Sequence, residues 1–510
     1  MARRSLLRHR LIDRDDVYRA QTSVRRDYAF GARSRLGAVA LGCIAARLLV
    51  STSAGAAPGA VDSTFGQDGR VTTAIGRDAG IVGVVIDHAG GIVAAGWTTG
   101  NVYSGMALAR YDASGVLDPA FGDGGTTTRW VDRGSITTSG VAIDAQGRIV
   151  VSAFTGQGNT PDHTDDFLIA RFEANGRPDA SFGDGGVTTT AIGTGDDRSA
   201  AIAIDPDGRI VVAGWADVGP YEQMALARYD ANGRVDESFG IGGKVTVPVG
   251  FSYSLATAVA IDEKGRIVVV GEATTEDLRE AFGVIRLDVD GRLDEGFGDH
   301  GRVLTHVGDR ADVATEAMID GRNRILVVGS GERDGKVGFA LIRCLEDGRL
   351  DASFGESGKV VTSIGPEDAE AFASVIDRSG RIVAVGDAAS DFAIVRYRPN
   401  GMLDASFGDG GQTTTPIGTS VDLAVAVAIY PEGRAIAAGS SLIGPDRRSQ
   451  FALVRYEGPC AGGICTRSPI TRRPTIACSC SGESCAPCVR GFHPILSRPA
   501  ARAASPLPLR

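Results

Sequence analysis

Aromatic and histidine side chains are scarce in this chain: Phe, Tyr and Trp make up 6% of 510 residues, Trp occurs three times and His six times. The histidines stand at positions 9, 88, 163, 300, 306 and 493, and no two have the spacing of a helical metal pair. His300 and His306 are close in sequence but flank a strand start, so a shared site is not expected. Catalytic signatures are missing as well: there is no Gly-x-Ser-x-Gly elbow and no phosphate-binding loop, although a site assembled in space would leave no such trace. A net charge of −9 is the wrong sign for a protein built to grip phosphates, which excludes nucleic acid as the main partner. No stretch supplies the ~20 apolar residues of a membrane-spanning helix. What the chain has in quantity is glycine, 70 residues, which suits many short strands joined by tight turns.

A phrase clearest at Ala225–Gly240, ALARYDANGRVDESFG, recurs through the sequence. Its Phe-Gly pair falls at Phe65, Phe121, Phe182, Phe239, Phe297, Phe354 and Phe407, with spacings of 56, 61, 57, 58, 57 and 53 residues. Each copy offers four β-rich runs, such as Lys244–Val249, Ala258–Asp262, Arg266–Gly271 and Phe339–Arg343. One four-stranded sheet cannot bury both its faces, so the copies must stack radially, and the expected fold is all-β: a seven-bladed β-propeller of four-stranded antiparallel blades. The array starts on the run at Val71 and stops after Arg455, so an N-terminal outer strand should complete a blade whose other strands lie at 422–456. That closure removes the exposed edges of an open array.

Between the second and third runs stands Asp-x-x-Gly, as at Asp144–Gly147 and Asp262–Gly265, where Asp accepts from backbone amides and Gly takes the left-handed conformation. The fifth copy has Asn323 for Gly, and the seventh has Tyr430 for Asp, which makes its turn the weakest expected. An Arg precedes an Asp by eight residues at Arg110, Arg171, Arg228, Arg286, Arg343 and Arg396, paired with Asp118, Asp179, Asp236, Asp294, Asp351 and Asp404. Asp62 and Arg455 are the orphans of this series and should meet across the ring closure. A feature present in every blade reads as a lattice that sets blade register rather than as a ring of ligand contacts. The Phe of Ser-Phe-Gly reads as a wedge between blades, and Cys344, standing where other copies have mostly aromatic residues, as a packing residue.

Leu350-Asp-Ala-Ser-Phe-Gly355, the Gly-Lys-Val and Thr-Thr runs, Asp-x-x-Gly-Arg-Ile-Val-Val and Phe-Ala-Leu-x-Arg-Tyr resemble the delta-60 repeat family over about 61–457. The resemblance implies a bacterial, usually exported, propeller-like array, and brings no catalytic residues with it. The strand order is also similar to that of NHL-type propellers, an architectural likeness only.

An antiparallel blade puts its repeated turns on one face and its irregular connections on the other. Internal diversity suits recognition, so the irregular face is the expected contact surface. It is acidic, carrying Asp78, Asp132, Asp196, Asp197, Asp309, Asp312, Glu367 and Asp368. These could hold a divalent cation or a basic partner, or simply keep the rim solvated; no Asp-x-Asp-x-Asp-Gly loop with a distal Glu occurs, so no cofactor is expected and calcium is the one cation to test. Trp97 and Trp215 follow the third run in two copies and could stack on a sugar, but three Trp are few for a lectin.

Residues 1–57 read as a leader, with an Arg-rich start, an apolar run at 36–50 and small residues to Ala57, as in a secretory signal. Residues 58–457 are the propeller. From 458 to 510 follows a tail with Cys460, Cys465, Cys478, Cys480, Cys485 and Cys488, which suggest a small disulfide-tied appendage in an exported protein, with a zinc knuckle as the cytosolic alternative. The reading is therefore an exported monomeric propeller, secreted, periplasmic or at the cell surface, that binds a protein or carbohydrate ligand or serves as a structural module. The alternative is a hydrolase or lyase with its site at the mouth of the central channel.

Overall fold

Val, Ile, Ala and Leu dominate the third and fourth runs of the copies, and they build strands that are almost continuously buried, such as Ile210–Asp217 and Glu222–Tyr229. The computed structural model describes residues 57–100, 103–130, 134–156 and 164–458. The leader, Asp132 and the six tail cysteines lie outside the described residues.

The described strands form seven four-stranded antiparallel sheets. Blade 1 runs from the channel outward as Asp78–Ile86, Ile92–Thr99, Ser104–Tyr111 and Thr126–Arg129. Blades 2 to 6 repeat this order. In blade 7 the strands Asp422–Ile429, Ala435–Ile443 and Arg448–Tyr456 are completed by Arg70–Thr73 from the other end of the chain, which pairs from Arg70↔Val454 to Thr73↔Phe451. The expected closure is thus observed. Each of the seven inner strands carries a register shift at the same height, at Val82, Ser139, Ala200, Thr257, Thr315, Phe372 and Val425. These bulged residues line a cavity of about 200 Å³ in the central channel.

The joint between blades is built from the recurring phrase. In blade 2, Arg171 Nε donates to Asp179 at 2.7 Å, and its guanidinium lies over the Phe182 ring with 4.4 Å to the centroid. Another Arg171 nitrogen donates to the Ala231 carbonyl of blade 3. Phe182 is fully buried and presses on Gly233 of blade 3, where a Cβ would fall 2.6 Å from the ring. Gly233 also has φ +79, so both space and backbone demand glycine there. The amide of Gly183 adds a hydrogen bond to Asn232 O at 2.9 Å. The Arg–Asp bond repeats at Arg228, Arg286, Arg343 and Arg396, with distances from 2.8 to 2.9 Å. At the closure Arg455 meets Asp62 at 2.8 Å, lies over Phe65 and donates to Ala113 O of blade 1. The remaining wedge, Phe407, sits against Gly59, so the N-terminal segment fills the role that a neighbouring blade's tail plays elsewhere.

Blade 1 departs from the rule. In blades 2 to 6 an Arg following the Asp-x-x-Gly turn neutralises the turn Asp, as Arg266 does Asp262 at 2.6 Å. Blade 1 has Gly91 in that place, and Arg110 swings to Asp87 at 2.5 Å, leaving Asp118 at 3.4 Å. The φ of Gly91 is not positive, and its added Cβ would meet only the ends of the Asp87 and Arg110 side chains. Gly91→Arg is therefore expected to restore the pattern and raise stability by about 0.4–1 kcal/mol, read as a higher melting temperature. Asn323 takes φ +57 as expected. Tyr430 keeps the backbone turn, with Gly433 N on its carbonyl at 2.8 Å, but the side-chain bonds made by Asp elsewhere are replaced by stacking under Arg434 at 5.4 Å. Cys344 is fully buried in an apolar cluster, and burial pushes its thiol up to about 12, which makes it a packing residue.

Candidate functional site

The two ends of the propeller differ in kind. One carries the repeated turns. Among the described residues, the other carries connections that range from two-residue turns such as Ala389–Ser390, with φ +54 and +66, to six-residue stretches such as 248–253. Among the described residues, the four largely exposed aromatic side chains are Tyr103, Trp130, Tyr221 and Phe251, and all four stand in connections of this variable face. Exposed aliphatic residues are not segregated in this way: Leu278 and Val421 stand on the variable face, and Val116, Ile241, Val289 and Met402 among the repeated turns.

The inner-strand bulge provides a common ruler for the seven blades. Two residues before it, toward the variable face, the inner strand pairs with the second strand as Gly80↔Trp97, Thr137↔Phe154, Arg198↔Trp215, Leu255↔Glu272, Val313↔Ser330, Glu370↔Asp387 and Leu423↔Ser440. This layer breaks the repeat. Blades 1 to 3 each contribute an aromatic residue, whereas blades 4 and 6 contribute carboxylates. Most of these residues are half-buried, as befits side chains at a channel mouth.

Arg198 braces the aromatic side. Its guanidinium lies 5.4 Å from the Phe154 centroid and 5.3 Å from that of Trp215, and it pairs with Asp165 at 2.7 Å and Asp196 at 3.5 Å. On blade 6 the register sets Glu370 directly across from Asp387. Burial, reinforced by Glu370, pushes the Asp387 carboxyl up to about 7, and burial with nearby Asp368 raises Glu370. Because the folded pKa of Asp387 lies above its unfolded value near 3.8, its contribution to stability is complete below that value and is lost as pH rises toward about 7. Melting temperatures of Asp387→Asn should accordingly lack the part of the decline that the parent shows across that window.

The acidic residues expected on this face are distributed as follows. Asp197 and Asp312, expected at the contact surface, are instead fully buried. Asp197 accepts from the amides of Ile192 and Gly193, and Asp312 from those of Val307 and Gly308, so both fix the turn that leads into their inner strand. Asp309 accepts from Asp334 N and Asp368 from Val337 N, both at 3.0 Å, tying neighbouring connections together. Asp196 accepts from Asp165 N at 3.1 Å, and Asp78 from Ser449 N at 3.2 Å. Among the described residues no group of three or more His, Cys, Asp and Glu has a geometry that could hold a metal ion. The residues that sequence reasoning missed, Phe154, Arg198, Glu370 and Asp387, would have stood out had the seven copies been aligned on the bulge.

Five segments, 90–121, 206–239, 265–297, 323–354 and 378–407, match the family described as a domain of unknown function (DUF5122) β-propeller. The chain is a β-propeller repeat protein. Each matched segment runs from the turn after the inner strand through the second and third strands and ends on a wedge Phe. No curated protein matches the sequence. Solved structures similar to it include the polysaccharide lyase Uly1, at 11% identity over 74% of this chain and 89% of that one, with a TM-score of 0.44. Others are a GH74 xyloglucanase from Xanthomonas campestris, at 15% identity over 75% and 55% with a TM-score of 0.40, and a gluconolactonase from the same organism, at 14% over 69% and 90% with a TM-score of 0.34.

Proposed function

We propose that this propeller is an exported binding module that recognises its ligand with the variable-loop face and the channel mouth beneath it. The observation that carries this reading is the segregation of exposed aromatics: Tyr103, Trp130, Tyr221 and Phe251 all stand on that face. Aromatic side chains are enriched in the contact surfaces of proteins and costly to leave in water without a use. Export rests on the leader-like sequence of residues 1–57, and sequencing the N-terminus of the mature protein tests it. For the face, two variants are compared on arrays of defined oligosaccharides and peptides: Tyr221→Lys with Phe251→Lys, and Ile241→Lys with Met402→Lys on the repeated-turn face. Binding should be lost only in the first; loss only in the second would overturn the assignment.

A second reading is favoured by Asp387, whose carboxyl titrates near neutrality beside Glu370, the arrangement a general acid needs. In that reading the mouth is the active site of a hydrolase or lyase, and Asp387→Asn would abolish turnover while leaving ligand bound. Calcium in the millimolar range is expected to leave the melting temperature unchanged, because the carboxylates of Asp197 and Asp312 are already occupied by backbone amides.

A further inference from the structure

The channel-mouth layer contains a donor with no partner. Trp97 is 5% exposed, and its indole Nε1 makes no hydrogen bond among the described residues. Leaving a buried N–H unpaired is costly, so such groups are held for a reason. The indole springs from the second strand of blade 1 and reaches inward over the inner strand, where it lies on Gly80. A Cβ on Gly80 would fall 2.8 Å from Nε1 and 2.9 Å from two ring carbons. Glycine at this point thus lets the N–H edge of the ring reach the strand that borders the channel.

Phe154 and Trp215 occupy the same height on the next two blades, held at fixed spacing by the Arg198 guanidinium between them. Glu370 and Asp387 stand at that height on blade 6, half-buried below the two-residue turn Ala389–Ser390. Flat apolar rings, one inward indole donor and a pair of carboxyl groups form the set that recognises a polyol: ring faces take the C–H surface of a pyranose, and carboxyl oxygens take its hydroxyls. Charge narrows the class. Arg198 is the cation of this layer and is already paired with Asp165 and Asp196, so an acidic sugar would meet carboxylates without a free counter-charge.

Resting on the binding-face reading above, we propose that the channel mouth binds a saccharide chain free of acidic groups, with Trp97 donating to it, Phe154 and Trp215 packing on it, and Glu370 and Asp387 accepting from its hydroxyls. The test is calorimetric titration of the full chain with cello-oligosaccharides, chito-oligosaccharides and oligogalacturonate. A neutral or amino-sugar chain should bind and oligogalacturonate should not. Trp97→Phe keeps a ring and removes the N–H, and Glu370→Gln keeps the shape and removes the charge. Each should weaken binding by about tenfold with the melting temperature retained. Preference for oligogalacturonate overturns the proposal, as does saccharide binding untouched by both variants. Failure of all three chains, together with a peptide ligand lost in the Tyr221→Lys, Phe251→Lys variant, would overturn the saccharide class and leave the binding-face reading standing. Loss of saccharide binding in the Ile241→Lys, Met402→Lys variant alone would overturn both.

Discussion

Arg455→Ala is expected to destabilise the propeller by about 3–5 kcal/mol, since it strips a buried carboxylate of its counter-charge. Arg455 and Asp62 are 2% and 3% exposed and 2.8 Å apart, where the two ends of the described chain meet. The guanidinium also covers Phe65 and donates to Ala113 O of blade 1, so its loss loosens both the N-terminal segment of blade 7 and the seam to blade 1. In a double-mutant cycle with Asp62→Ala the two residues should couple by about 1–3 kcal/mol, and absence of coupling would remove this account of closure. Burial alone would raise the Asp62 carboxyl, yet hydrogen bonds from Thr64 and the charge of Arg455 hold it below the usual range. A depressed folded pKa contributes stability above the unfolded value of ~4, which is lost as pH falls further. The gap between the parent and Asp62→Ala should therefore narrow in acid, opposite in direction and lower in pH than the Asp387 effect.

Phe239→Ala should cost a similar ~3–5 kcal/mol, because it empties a site with no room to collapse. Phe239 is fully buried, carries the Arg228 guanidinium at 4.5 Å, and fits against Gly291 of the next blade, where a Cβ would lie 2.7 Å from the ring. Gly291→Ala attacks the same contact from the other side and adds the strain of a residue at φ +84. Since both changes act on one contact, their combination should cost less than the sum, measured by chemical denaturation. Strict additivity would mean that the ring and the glycine do not meet.

The blade count and closure were legible because each joint repeats the same Arg, Asp, Phe and Gly at fixed spacing, and because Asp62 and Arg455 were each missing a partner within their own copy. The exchange at Arg110 was hidden, since it depends on Gly91 leaving Asp87 without the Arg that other blades supply. The acidic residues misled in part: Asp197 and Asp312 sit where a surface loop meets a strand, and nothing in a linear pattern shows that loop amides turn back to claim them. The channel-mouth layer was concealed for a different reason. Glu370 and Asp387 are 17 positions apart and face each other only through strand register, and Phe154 joins Trp97 and Trp215 only when copies of unequal length are aligned on the bulge.

Closure by the N-terminal strand also fixes a direction. Gly59 N donates to Glu457 O at 2.9 Å, so the chain enters and leaves the propeller side by side, among the repeated turns. Gly59 and Glu457 therefore meet at the end of the propeller opposite the rim that carries Trp97, Asp387 and the exposed aromatics, so changes at this junction leave the rim untouched.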